Sequence, residues 1–274
     1  MEAARQKTIE SPVQLEGVGL HTGRLLQMTL RPAGPDTGVV FRRSGGGSGI
    51  PATLQAVTGT SGCITLGGPD GIRTVEHVLS AAWALGVDNL DVEVDGTEVP
   101  GMDGSALPIV RALRQAGVRS LEAPRRILRV REPVCVGEGR AWAVALPAPR
   151  FGAAYVVWVD APGLGDQAAT YDPTQDRYEE TIAPARTWGY EKDATALRER
   201  GMALGASPDN TLVVGEAGFL NPPRFPNEPA RHKILDLLGD LALLGRDIQG
   251  FVIAVRGGHG LHVALAKALG NREG

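Results

Sequence analysis

One pattern occurs twice in this chain and limits what it can fold into. Residues 77–94 and 236–255 each read as an apolar helix, a glycine stop (Gly86, Gly245), a turn with Asp two residues on (Asp88, Asp247), and an apolar strand. A helix or strand with one apolar side must bury it against another layer, so the two units are expected to pack together. His77 and Asp236 each stand nine residues before the stopping glycine. They hold matching places, with His232 one helical turn earlier in the second unit. Packing through the helices would bring His77 against His232 and Asp236. The plainer alternative is a packing repeat with no shared chemistry.

The second unit opens on residues 230–240, which place His232, Asp236 and Asp240 at i, i+4 and i+8 of an otherwise apolar helix. At 3.6 residues per turn they project from one face. Ile234, Leu235, Leu238 and Leu241 occupy the other faces and read as buried. Two such groups a turn apart can share one metal ion, and a catalytic zinc takes three protein ligands and keeps a position open. The chain has five His. Of these His77 stands out, because Glu76 precedes it: a His to hold an ion beside a carboxylate to take a proton from water suits metal-assisted hydrolysis. Taken singly, a Glu-His pair is more often surface decoration and a helical His-x3-Asp a solvated pair.

The remaining pattern is α+β. Strands are expected at 25–30, 39–42, 90–94, 127–136, 141–146, 154–159, 211–214 and 251–255, and helices from His77 to the Gly86 stop and at 107–116, 193–200, 230–241 and 261–269. A Gly/Ser-rich loop falls at 44–49 and a boundary at 122–126. Hydrophobic residues make up 43% of the chain, and no apolar run approaches the ~20 residues of a membrane span. A net charge of −3 without a basic cluster argues against nucleic acid. Cys63 and Cys135 make neither a disulfide framework nor a cysteine zinc site. Residues 1–7 are charged and lack a signal core. A protein of the reducing cytoplasm, without stable membrane insertion, is expected.

Seven strings then carry a resemblance: Gly17-Val-Gly-Leu-His21-Thr-Gly23, Thr74-Val-Glu76-His77, Gly86-Val-Asp-Asn89, Met102-Asp-Gly-Ser105, Ala185-Arg-Thr187, Arg231-His232-Lys233 with Asp236 and Asp240, and Gly258-His259. In this order, over residues 17–260, the chain resembles the UDP-3-O-acyl-N-acetylglucosamine deacetylases, zinc amidases of lipid A biosynthesis. The resemblance implies two similar α+β domains, each a mainly antiparallel sheet with two helices, the helices sandwiched between the sheets. The domains would be 1–123 and 124–274, with an insert at about 188–215. It implies hydrolysis of the acetamide of UDP-3-O-((R)-3-hydroxyacyl)-N-acetylglucosamine, a lipid-linked nucleotide sugar, by a chain expected to be monomeric.

The resemblance also assigns roles. One Zn2+ per chain, or Fe2+ in the cell, is held by His77, His232 and Asp236. Glu76 is the general base, Thr187 the donor to the oxyanion, and Lys233 meets substrate polar groups and developing charge. His259, flanked by glycines that permit close approach, is the general acid, with Asp240 orienting it. Leu197, Met202 and Leu204 of the insert would line an acyl passage, or merely pack the insert down. Trp188 stands beside that passage where the family has Phe. Arg256 stands where a basic residue meets the diphosphate, and Trp158 is the candidate to stack on uracil. His21 has a binding or a structural role. His262 matches no family site and reads as an ordinary helix residue. Competing classes are a zinc hydrolase of another N-acylated sugar, and a non-catalytic sugar-nucleotide binder; the latter sits poorly with a complete set of Glu76, His259 and ligands.

Overall fold

A computed structural model describes residues 4–68 and 71–273 of the chain. Its two five-stranded sheets have one and the same strand order. The first is made, in chain order, from Val13–Val18, Leu25–Pro32, Val39–Arg43, Ile50–Pro51 and Leu90–Val94. The last of these enters the middle, antiparallel to Leu25–Pro32 and parallel to Val39–Arg43. The second sheet is made from Val134–Glu138, Ala141–Leu146, Gly152–Val159, Gly165–Tyr171 and Phe251–Val255. Here too the last strand enters the middle, antiparallel to Ala141–Leu146 and parallel to Gly152–Val159. The repeat seen over 77–94 and 236–255 thus extends through both sheets. The central strands are apolar because both their neighbours and the helix layer cover them: Leu90, Val92, Val94, Val252 and Ala254 are fully buried.

Among the described residues, six α-helices accompany the sheets: α1 (Glu76–Ala84), α2 (Leu107–Gln115), α3 (Tyr178–Thr181), α4 (Ala194–Glu199), α5 (Glu228–Ala242) and α6 (His259–Gly270). α1 and α5 precede the two central strands, and α2 and α6 follow them. Gly86 and Gly245 stop α1 and α5 at φ +67° and +64°, the left-handed conformation glycine adopts without a Cβ clash. α1 packs on α5, and α5 lies on Gly152–Val159 and Gly165–Tyr171. One core joins Leu79 and Ala82 of α1 and Leu235 and Leu238 of α5 to Leu30 and Val92 of the first sheet and Tyr155 and Val252 of the second. The fold is α+β, with the helices between the sheets.

The α1–α5 crossing is close because position 239 has no side chain. A Cβ built on Gly239 would lie 2.2 Å from the carbonyl oxygen of Glu76. The first turn of α1 therefore rests on the backbone of α5, between Asp236 and Asp240.

Two local expectations change, and one feature is new. The strand expected over 127–136 is two: Ile127–Arg129 pairs in parallel with Asp247–Gln249, and Val134–Glu138 pairs with Ala141–Leu146. Pro133, which has no N–H for a ladder, lies at the break. Each unit also carries a small three-stranded sheet ahead of its main helix: Val57–Gly59, Thr65–Leu66 and Ile72–Arg73 before α1, and Trp188–Tyr190, Leu212–Gly215 and Gly218–Phe219 before α5. The expected helix at 193–200 is α4, shorter and entered through a 3-10 turn at Glu191–Asp193. Among the described residues no helix is long and apolar enough to cross a membrane.

Candidate functional site

His77, on the first turn of α1, meets His232 and Asp236 of α5. The imidazole centroids of His77 and His232 are 5.3 Å apart, His232 Nε2 is 3.4 Å from Asp236 Oδ1, and one donor atom from each of the three falls within 4.8 Å of the others. Burial, with His232 alongside, lowers His77 to about 4. Burial also lowers His232. Burial opposes ionisation of Asp236, but Lys233 and the neighbouring His hold it well below the usual carboxylate range. Two neutral imidazoles and one carboxylate are the forms in which these groups bind a metal, and this donor chemistry fits zinc or iron.

The segment between α3 and the strand Trp188–Tyr190 fixes the His232 ring. Its Nδ1 faces the Ala185 carbonyl at 3.1 Å, which turns Nε2 toward Asp236, the outer-sphere arrangement common to ligating His. Ala185 is held in turn by Arg186, which makes a buried ion pair with Glu228 at 2.9 Å on the first turn of α5. Thr187 follows, with its N–H donating to the Gly104 carbonyl at 2.8 Å.

Glu76 sits on a strained approach. Thr74 has φ +61°, rare for a β-branched residue and usually retained where surrounding contacts over-determine it. Its N–H donates to the Ile64 carbonyl at 2.9 Å and its hydroxyl to Glu98 at 3.3 Å. Ile64 N–H donates to Glu76 Oε2 at 3.1 Å, leaving Oε1 toward His259 Nε2, 3.8 Å away. Burial is the main cause that raises Glu76 to about 8; Asp236 and Asp240 add to it, and His259 opposes. Glu98, fully buried, also accepts from the N–H groups of His21 and Thr22 at 2.7 and 2.8 Å. Nothing in the sequence motifs singled it out.

His259 opens α6 and faces Asp240 of α5: its Nδ1 is 2.8 Å from Asp240 Oδ2. Burial works against its charge, but Asp240, Asp236 and Glu76 raise it to about 9. Asp240 is fully buried rather than a solvated helix charge. Its Oδ2 also meets Nδ1 of His262 at 2.7 Å. His262, read from the sequence as an ordinary helix residue, is fully buried and belongs to this cluster. Its i, i+3 spacing from His259 was the available signal.

These groups surround a cavity of about 290 Å³, walled by His21, Glu76, His77, Thr187, Trp188, His232, Lys233, Asp236 and His259, together with Leu20, Thr60, Gly62, Thr74 and Gly258. Thr60, Gly62 and Thr74, in the connections of the first small sheet, and Trp188 of the second contribute walls. Lys233 Nζ lies 2.7 Å from Asp236 Oδ2; burial would lower it, but Asp236 overrides this and raises it. His21 Nδ1 accepts from Ala203 N–H at 3.4 Å, and its Nε2 is buried with no partner among the described residues. Leu197, Met202, Leu204 and Arg256 are not in the walls. Met202 reaches the rim, its Cε 2.8 Å from where a Gly62 Cβ would stand. Leu204 is 50% exposed, and its N–H donates to the His21 carbonyl at 3.1 Å. Arg256 lies over the Trp158 ring and pairs with Asp166 at 3.1 Å.

Residues 6–271 match the family described as "LpxC: UDP-3-O-acyl N-acetylglycosamine deacetylase". The UDP-3-O-acyl-N-acetylglucosamine deacetylase of Syntrophotalea carbinolica is 40% identical over 275 residues, 98% of this chain and 89% of that protein. The protein of that name from Thermosynechococcus vestitus is 40% identical over 275 residues, 99% of this chain and 96% of its own. The one from Myxococcus xanthus is 41% identical over 268 residues, with shares of 96% and 85%.

Proposed function

Because the chain belongs to the UDP-3-O-acyl-N-acetylglucosamine deacetylase family, we propose that it hydrolyses the acetamide of UDP-3-O-((R)-3-hydroxyacyl)-N-acetylglucosamine, releasing acetate and the free amine in the cytoplasm. The observation that carries this is the grouping of His77, His232 and Asp236 donor atoms within 4.8 Å, with Glu76 and His259 on the same cavity. A zinc or ferrous ion held by those three would supply Lewis acidity toward the amide carbonyl and make water nucleophilic near neutral pH.

The chain's own groups do the rest. Glu76 takes a proton from water through Oε1, the oxygen that Ile64 leaves free. Negative charge growing on the amide oxygen is offset by Lys233 and by the Thr187 hydroxyl, both in the cavity wall. His259, kept protonated by Asp240, passes its Nε2 proton to the departing nitrogen as the C–N bond breaks. His21 and Trp188 would meet the sugar and acyl ester, and Leu197, Met202 and Leu204 the chain beyond. Arg256, with Trp158, would meet the diphosphate and base. Residues 1–123 and 124–274 act as the two halves of a monomer, with 188–215 as the acyl-binding insert.

The test is deacetylation of this substrate by purified protein before chelation, after it, and after zinc is returned. Turnover that vanishes with the metal and comes back with zinc is expected, with one ion bound per chain. A protein that binds one ion and leaves the substrate intact would overturn the substrate; turnover indifferent to chelation would overturn the metal.

A further inference from the structure

We propose that His262 is a positioning residue for the reaction: its Nδ1–H holds Asp240 in the orientation from which Asp240 aims His259 into the cavity. This rests on the deacetylase reading, in which His259 is the proton donor.

The geometry is one-sided. Both imidazoles meet the same oxygen, Asp240 Oδ2, His259 through Nδ1 at 2.8 Å and His262 through Nδ1 at 2.7 Å. The other oxygen, Oδ1, is buried and has no partner among the described residues. A carboxylate offers about four lone-pair directions, yet here a single oxygen takes both donors, so among the described residues these are the two side-chain hydrogen bonds that set the rotation of the carboxylate. An ionised carboxylate only accepts, which puts a proton on Nδ1 of each ring.

That choice is reinforced from the far end. His262 Nε2 faces the hydroxyl of Tyr155 at 3.0 Å. Tyr155 is fully buried, and burial, with Asp236 and Asp240 nearby, raises its hydroxyl well above the usual value. The phenol therefore stays protonated and donates to Nε2, which makes His262 neutral with its proton on Nδ1. Burial outweighs Asp240 in lowering His262, which agrees with that state. The chain of donors runs Tyr155 to His262 to Asp240, and is met there from the other side by His259. Without the His262 donor, Asp240 keeps one bond, and the carboxylate is free to turn. The His259 ring, whose Nε2 stands 3.8 Å from Glu76 Oε1, then loses its fixed heading.

Two variants separate this role from simple filling of the core. In His262→Asn the amide nitrogen falls near the place of Nδ1, so the bond to Asp240 survives and the bond to Tyr155 is lost. His262→Phe fills the space and donates nothing. The Phe variant should lose roughly 10–100-fold in kcat, with KM and bound metal unchanged, while the Asn variant stays within about threefold of wild type. In an Asp240→Ala background, His262→Phe should cost nothing more, because its effect passes through Asp240. A readout independent of turnover is the low-field proton NMR resonance of His259 Nδ1–H: it should keep its position in the Asn variant and move in the Phe variant.

The proposal is overturned if the Phe variant matches wild type, if Asn falls as far as Phe, or if Phe adds its full loss to Asp240→Ala. It is overturned equally if the His259 resonance is the same in both variants. A wild-type protein that ignores the substrate while the resonance responds as stated would sink the deacetylase reading and leave the positioning contact standing.

Discussion

Glu76 is a site residue whose environment works against its ordinary ionisation. In an unfolded chain it titrates near the usual 4.5, whereas burial, with Asp236 and Asp240, raises it to about 8 in the folded one. Without metal, the folded state keeps a proton that the unfolded chain gives up across that window. Stability therefore falls as pH rises from about 4.5 to about 8. Glu76→Gln removes the titration. Chelated Glu76→Gln should melt above chelated wild type at pH 8.5, with a much smaller gap at pH 5. A gap equal at both values would contradict the environment described. The same variant should bind metal normally and lose on the order of 10²–10⁴ in rate, because it removes a base and not a ligand. Glu76 and His77 were legible as a pair because they are adjacent, and His232 with Asp236 because helical spacing shows them on one face. The role of His262 was not, since its partner Asp240 reaches it only through the packing of α5 on α6.

At the scale of elements, the α1–α5 crossing puts intrinsic preference and packing in opposition at Gly239. Helix propensity favours Ala over Gly by about 1 kcal/mol. A Cβ there would stand 2.2 Å from the Glu76 carbonyl oxygen and 2.8 Å from its carbonyl carbon, and a helix backbone cannot swing aside as a side-chain end can. Gly239→Ala should therefore destabilise the protein by roughly 1–3 kcal/mol, the usual cost of overpacking, and weaken metal binding by moving His77 away from Asp236. Gly270, at the end of α6, is the internal control: its Cβ would meet only Leu244 at 3.6 Å, so Ala should be tolerated. Thermal melts and metal titration of the two variants decide it; a Gly239→Ala protein as stable as Gly270→Ala would show that the crossing has slack. Elements with a clean apolar period, such as Leu90–Val94 and Ala141–Leu146, were readable from sequence to the residue. Gly165–Tyr171 was not, because an edge strand of Gly, Asp, Gln, Ala and Thr carries little strand signal and is held by its ladder to Gly152–Val159. Val118–Pro124 was hidden likewise, its polar half-exposed sequence reading as the approach to a boundary while it pairs with Arg5–Ile9 more than a hundred residues away.

Across the whole molecule, the matching turns after α1 and α5 meet at a single cation. Asp88 and Asp247 each lie two residues beyond a stopping glycine. Arg125, from the connection between the two sheets, reaches both: its Nε is 2.8 Å from Asp88 and its Nη1 2.7 Å from Asp247. The cluster lies in the wall of a second cavity, of about 310 Å³, at the ends of α1 and α5 remote from Glu76 and His232. The side chains of Arg125, Asp88 and Asp247 are only 17%, 23% and 28% exposed, so water screens them incompletely. Burial, with Asp88 adding to it, raises Asp247 even though Arg125 opposes. Arg125→Met would leave two carboxylates facing each other. Removing one partner of a fully buried pair costs about 3–5 kcal/mol; partial exposure reduces this to roughly 1–3 kcal/mol. Adding Asp88→Asn and Asp247→Asn should restore much of that loss, since no unpaired charge then remains. The sign with pH follows from Asp247. A folded carboxyl above its unfolded value is a liability once pH rises past it, and Arg125→Met raises it further. The melting gap between wild type and Arg125→Met should therefore narrow as pH falls toward about 4, where Asp ordinarily takes up its proton. A gap unchanged between pH 4 and 7.5, or a triple variant no more stable than Arg125→Met, would mean that the two units are held at this end by packing and not by a shared charge.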